Sequence, residues 1–127
     1  MFRMNLGSGE FDGYVVVSLR GELDLVDAAA VAAALRTVAA RDLWIIGDLS
    51  GLEFIDAAGV AALSRGRRQA RNAGGDLLLA APRPRVRRVL ALIWKADGSG
   101  VQASVAAAAA SAGSPPSDGR ADPATAR

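Results

Sequence analysis

Three short apolar runs, residues 14–19 (YVVVSL), 43–49 (LWIIGDL) and 76–81 (DLLLAA), are separated by stretches whose apolar residues recur every three or four positions. Short runs rich in branched residues read as buried strands, and the intervening period reads as helix. Strands joined through helices are forced to run parallel, because the crossover returns the chain to the same edge of the sheet. A further strand around residues 2–6 precedes the first run and reaches it through the turn-rich residues 7–13, which gives an antiparallel hairpin. The expected class is therefore α/β, with a mixed sheet of about four to five strands carrying helices.

The helices have their own signals. Asp27 precedes an Ala-rich segment with Val31, Leu35 and Val38 at i, i+4 and i+7, and its carboxylate is placed to accept from the unpaired N–H groups of a first turn. A second helix spans about residues 57–73 and stops at Gly74-Gly75, where a left-handed residue ends a helix at little cost. Pro84 opens a third at a position where its missing N–H is harmless, with Val86, Val89, Leu90 and Ile93 as one stripe. A last strand is expected at 101–103, and Ser104 caps a fourth helix over 105–111. Gly66 lies in mid-helix at a cost of roughly 1 kcal/mol relative to Ala. Arg67, seven residues after Val60 on the same face, is expected to snorkel to the rim. Residues 113–127 (GSPPSDGRADPATAR) lack any large apolar side chain and read as a disordered tail, which leaves a domain over 1–112.

Composition narrows the chemistry. The chain of 127 residues contains no Cys and no His, so disulfides, thiol nucleophiles, thiolate metal sites and the commonest general base are all excluded. Because 28 positions are Ala, the core must rest on Leu, Ile, Val and a few aromatics. The longest apolar run, 28–35, falls far short of the ~20 residues that a spanning helix needs. The N-terminus has no apolar stretch of signal-peptide type, and a cytoplasmic location is expected. Fourteen of the fifteen basic residues are Arg, which lifts the isoelectric point sharply although the net charge is only +2.

Two motifs stand out: Gly21-Glu22-Leu23-Asp24, and the stretch from Asp48 to Val60 (DLSGLEFIDAAGV). In the second, a strand end leads to Asp56, an N-cap favoured by the helix dipole. It is followed by the nearly bare turn Ala57, Ala58, Gly59. Such a turn lets another backbone approach closely. Together with GGDLLLAAPRPRVRRVL at 74–90, these motifs resemble the STAS domain of bacterial anti-sigma factor antagonists. The resemblance implies a STAS-like mixed sheet with helices mainly on one face. It also implies a non-enzymatic module that binds an anti-sigma factor, often a serine kinase-like ATPase, and so releases a sigma factor. In that family the helix after the Asp commonly begins Asp-Ser-Ser/Thr-Gly, and its second hydroxyl residue is phosphorylated. Here the matching positions are Ala57 and Ala58, so Ala58 stands at a lost phosphosite. The expected partner surface comprises Asp24, Asp56, Ala57, Ala58, Gly59 and Val60, with no cofactor. A second departure is the stretch with Trp94, Gly98 and Ser99.

Other charged groups suggest alternatives. Between Arg65 and Arg88 eight arginines meet a single acid, Asp76. Guanidinium forks fit phosphate oxygens, which supports the alternative of a STAS module that binds a nucleotide or anionic lipid, or serves as a transport or scaffold accessory. The absence of aromatics in this stretch argues against direct nucleic-acid binding. Asp24, Asp48, Glu53 and Asp56 suit a hard cation in type, but their positions at strand and helix ends equally suit backbone capping, and no metal site is assigned.

Overall fold

The chain opens with a hairpin. In the computed structural model, which describes residues 4–42, 44–93 and 101–111, strands β1 (Met4–Phe11) and β2 (Tyr14–Leu23) pair antiparallel, with Met4 opposite Gly21 and Phe11 opposite Tyr14. Only Asp12-Gly13 connects them, with φ of 54° and 88°, the pair of left-handed residues that a two-residue hairpin turn demands. The loop expected over 7–13 is thus corrected. Gly7 and Gly9 belong to an edge strand and face open space, so their missing side chains leave no hole in a core.

Helix α1 (Leu25–Arg41) follows, then β3 (Trp44–Ile55), α2 (Ala57–Asn72), β4 (Asp76–Ala80), α3 (Pro84–Ile93), β5 (Val101–Gln102) and α4 (Val105–Ser111). The sheet order is β1-β2-β3-β4-β5, parallel from β2 onward. The expected class and strand number hold. One sheet face packs Val17, Leu19, Leu23, Ile45, Leu49 and Leu79 against α1, α2 and α3. The other packs Tyr14, Ile46 and Leu78 against Ala108 and Ala109 of α4, with Tyr14 and Trp44 edge to face at 6.3 Å.

Two further sequence expectations need correction. The third strand does not stop at Leu49 but continues to Ile55. Its register against β2 slips twice, so that β3 carries one extra residue between Asp48 and Gly51 and another between Leu52 and Phe54. Each slip is a bulge, and the buried residues Leu49, Leu52 and Ile55 consequently recur at every third position instead of every second. That spacing hid the strand. At α1 the N-cap is Asp24, not Asp27, which lies within the first turn. Asp24 has extended backbone angles, and its Oδ1 accepts from the Val26 N–H at 3.0 Å.

The remaining termini follow the sequence. Gly74 (φ 102°) ends α2, with Gly75 N–H donating to Ala70 O and Gly74 N–H to Arg71 O, the paired bonds of a Schellman ending. Ser104 Oγ accepts from Ala107 N–H at 3.0 Å. Residue 43, the side chain of Ile93, the stretch containing Trp94, Gly98 and Ser99, and the tail from 113 lie outside the described residues.

Arg67 also departs from expectation. It is 7 % exposed and does not snorkel. Its guanidinium pairs with Asp76 through Nε–Oδ1 at 2.9 Å and Nη2–Oδ2 at 3.3 Å, while Arg71 reaches the same carboxylate at 3.2 Å. Burial pushes the Asp76 carboxyl up. The hydrogen bonds from Arg67 and Arg71, the Arg67 charge and the Leu77 N–H together outweigh it and hold the group below its ordinary range. Gly66, beside Arg67, has a packing reason: a Cβ there would lie 2.9 Å from Leu35 Cδ1 and 3.1 Å from Leu35 Cβ, so its absence lets α2 seat against α1.

Candidate functional site at the paired helix tips

Strands β2 and β3 run parallel and finish side by side, Leu23 opposite Ile55. Each is followed by an Asp that caps a helix, Asp24 for α1 and Asp56 for α2. The two helix N-termini are therefore neighbours at the carboxyl edge of the sheet. Asp56 ties them together. Its Oδ1 accepts from Gly59 N–H at 2.9 Å and its Oδ2 from Leu25 N–H at 3.3 Å, while its own N–H donates to Leu23 O at 3.2 Å. One carboxylate thus closes the first turn of its own helix and reaches into that of α1 beside it, where both dipoles favour negative charge.

The close approach inferred for the bare turn is made first by the chain itself. A Cβ on Gly59 would stand 2.6 Å from Leu23 O and 2.8 Å from Ile55 Cγ1. Gly59 and Val60 are buried, so they seat the helix and offer no surface. Ala58 is half-buried against the small-residue cluster of Ala28, Ala32 and Ala62, and Ala57 is exposed. Of the six expected residues, Asp24, Asp56, Ala57 and Ala58 reach solvent at the tip.

Sequence reasoning missed the two most exposed large apolar side chains there. Leu25 is 74 % and Val26 71 % exposed, in the first turn of α1 directly beside Asp56. With the helix start misplaced at Asp27, these two fell into a loop. Recognising Asp24 as the cap would have exposed them as branched apolar residues standing beyond the sheet edge. The tip is thus an apolar patch of Leu25, Val26, Ala57 and part of Ala58, pinned from below by two capping carboxylates.

The acids do not assemble a cation site. Asp24 and Asp56 accept from backbone N–H groups as described, and Asp48 Oδ1 accepts from Ser50 N–H at 3.0 Å. Among the described residues no three His, Cys, Asp or Glu side chains are grouped to hold a metal ion. No helix among them is long and apolar enough to cross a membrane.

Similarity to known proteins agrees with this geometry. The STAS domain family matches residues 9–108. Among solved structures, the chain is similar to an anti-sigma factor antagonist from Mycobacterium paratuberculosis, with 26 % identity over 85 % of this chain and 92 % of that one and a TM-score of 0.75. It shares its fold with the Bacillus cell fate determinant SpoIIAA in its phosphorylated form, at 24 % identity, 81 % and 93 % coverage and a TM-score of 0.62. It also shares it with a part of the murine Slc26a9 anion transporter, at 19 % identity, 79 % of this chain but 18 % of that one, and a TM-score of 0.67. No curated protein matches the chain. A family match across most of the chain, on a five-stranded mixed sheet with paired capped helix tips, establishes that this protein belongs to the STAS domain family.

Proposed function

We propose that the chain is a non-enzymatic anti-sigma factor antagonist of the cytoplasm. It binds a kinase-type anti-sigma factor through the α1–α2 tip and thereby releases a sigma factor. The observation that carries this reading is the exposed apolar pair Leu25 and Val26 beside the bare Ala57, held rigidly by Asp56. Apolar groups fixed at the end of capped helices lose little conformational entropy when a partner covers them, which favours association. The likeness to the mycobacterial antagonist supports the same assignment.

Ala58 distinguishes this antagonist. An alanine methyl has no oxygen to accept a phosphoryl group, so no charge of nearly −2 can appear at this turn beside Asp56. Docking would then follow abundance alone and not the phosphorylation state of this position.

Calorimetry against the anti-sigma factor of the source cell tests the assignment. Wild-type chain should bind, and Ala57→Asp, which sets a charge in the patch at an exposed position, should weaken binding at least about tenfold, since burying an unpaired charge opposes association. Ala58→Asp should weaken it as well. Wild-type affinity in both variants moves the site elsewhere, and absence of binding by the unaltered chain removes the function.

A further inference from the structure

Away from the tip, the charge of this molecule is sharply divided. Helices α2 and α3 lie together on one face of the sheet, and neither contains an acidic residue. Their buried sides carry Val60, Leu63, Val86 and Leu90. Their outward ridges carry Arg65 and Arg68 on α2 and Arg85 and Arg88 on α3, all exposed. Among the described residues none of these four has an ion-pair or hydrogen-bond partner. The one acid of this region, Asp76, is already held by Arg67 and Arg71. One turn beyond Arg88 on the same ridge stands Leu92, 78 % exposed.

From this arrangement we infer that the outer face of α2 and α3 is a peripheral docking surface for a bilayer of anionic phospholipid. The charge complementarity is that of guanidinium forks to phosphate oxygens. Helices α2 and α3 contact one another, so the exposed arginines of both can meet one plane of headgroups, and the exposed Leu92 can enter the acyl boundary. Residues 57–93 contain no Phe, Tyr or Trp, so the stacking platform that single-stranded nucleic acid uses is missing. This face is separate from the α1–α2 tip, and a chain held on a membrane by it keeps the tip open to a protein partner.

Co-sedimentation of the full chain with vesicles decides the matter. Vesicles of phosphatidylglycerol and phosphatidylcholine in equal parts should retain the chain, and pure phosphatidylcholine should not. Arg65→Ser with Arg68→Ser, and separately Arg85→Ser with Arg88→Ser, should each lower partitioning about twenty-fivefold, from about fivefold per arginine. Arg36→Ser, which removes one charge from an exposed position on α1, should have little effect where one ridge arginine is worth about fivefold, and Leu92→Ser should weaken binding at unchanged charge. All positions are exposed, and circular dichroism checks that each variant is folded. Equal retention by both vesicle types overturns the inference, as does an Arg36→Ser effect matching that of one ridge arginine. Tighter binding to duplex RNA than to the anionic vesicles, with Leu92→Ser silent, overturns it in favour of a nucleic-acid surface.

Discussion

The Asp56 carboxylate accepts a hydrogen bond from the backbone N–H of Leu25 at 3.3 Å, across the gap between two helices. The same group caps its own helix through Gly59 N–H. Through these two bonds one carboxylate ties the start of α1 to the start of α2.

Asp56→Ala should therefore cost more than an ordinary cap. Loss of an N-cap oxygen is worth about 1–2 kcal/mol, and the Leu25 N–H loses its acceptor too. Asp56→Asn, whose amide oxygen still caps, should cost clearly less. Urea denaturation monitored by circular dichroism measures both, and equal stability of the Ala variant and wild type would contradict the bridging role.

Gly59→Ala should destabilise by about 1–3 kcal/mol through overpacking. The helix propensity of Ala acts in the opposite direction by about 1 kcal/mol, so the sign is informative. The contact atom nearest the new methyl is the backbone oxygen of Leu23, which cannot rotate away as a side chain can. A thermal melt that rises on substitution would show that the β2–α2 approach is looser than described.

Asp76 makes stability depend on acid. Its folded pKa lies below the ordinary value, so the unfolded chain takes up the proton first as pH falls. Its contribution is complete above the ordinary carboxylate range and is lost as pH falls through the folded pKa. Asp76→Asn should lower stability near neutral pH by about 2 kcal/mol, the scale of hydrogen bonds to charged groups. It should also flatten the acid limb of a plot of unfolding free energy against pH. A variant retaining the wild-type acid limb would assign that limb to other carboxylates.

Ala58→Ser places a hydroxyl in the first turn of α2, on a residue that is half-buried but not enclosed. If the partner is a serine kinase docking at the tip, incubation with that partner and ATP should add one phosphate to the variant and none at position 58 of the wild type. Intact-mass spectrometry reads the difference directly. Phosphate on the wild-type chain in equal amount would place the acceptor on another residue.

Much of this was legible in the residues. Local chemistry decided the Asp56 cap, the Gly74-Gly75 ending, Pro84 at a helix start and Ser104 as a cap, because each depends on groups within a few positions along the chain. The strand cores of β2, β3 and β4 were visible for the same reason, as short branched runs. The sequence by itself therefore determined the class of fold and the position of the second helix tip. It could not reveal that β3 continues past Leu49, because two bulges turn a strand's period of two into a spacing of three, and bulges exist only against a paired neighbour. Nor could it reveal that Arg67 is buried on Asp76, that Gly59 and Val60 are covered while Leu25 and Val26 are bare, or that one carboxylate serves two helices. Those outcomes belong to the tertiary structure, since each depends on how one helix or strand packs against another, which spacing along the chain does not fix; the shared Asp56 carboxylate, for one, meets Leu25 only because β2 and β3 finish side by side.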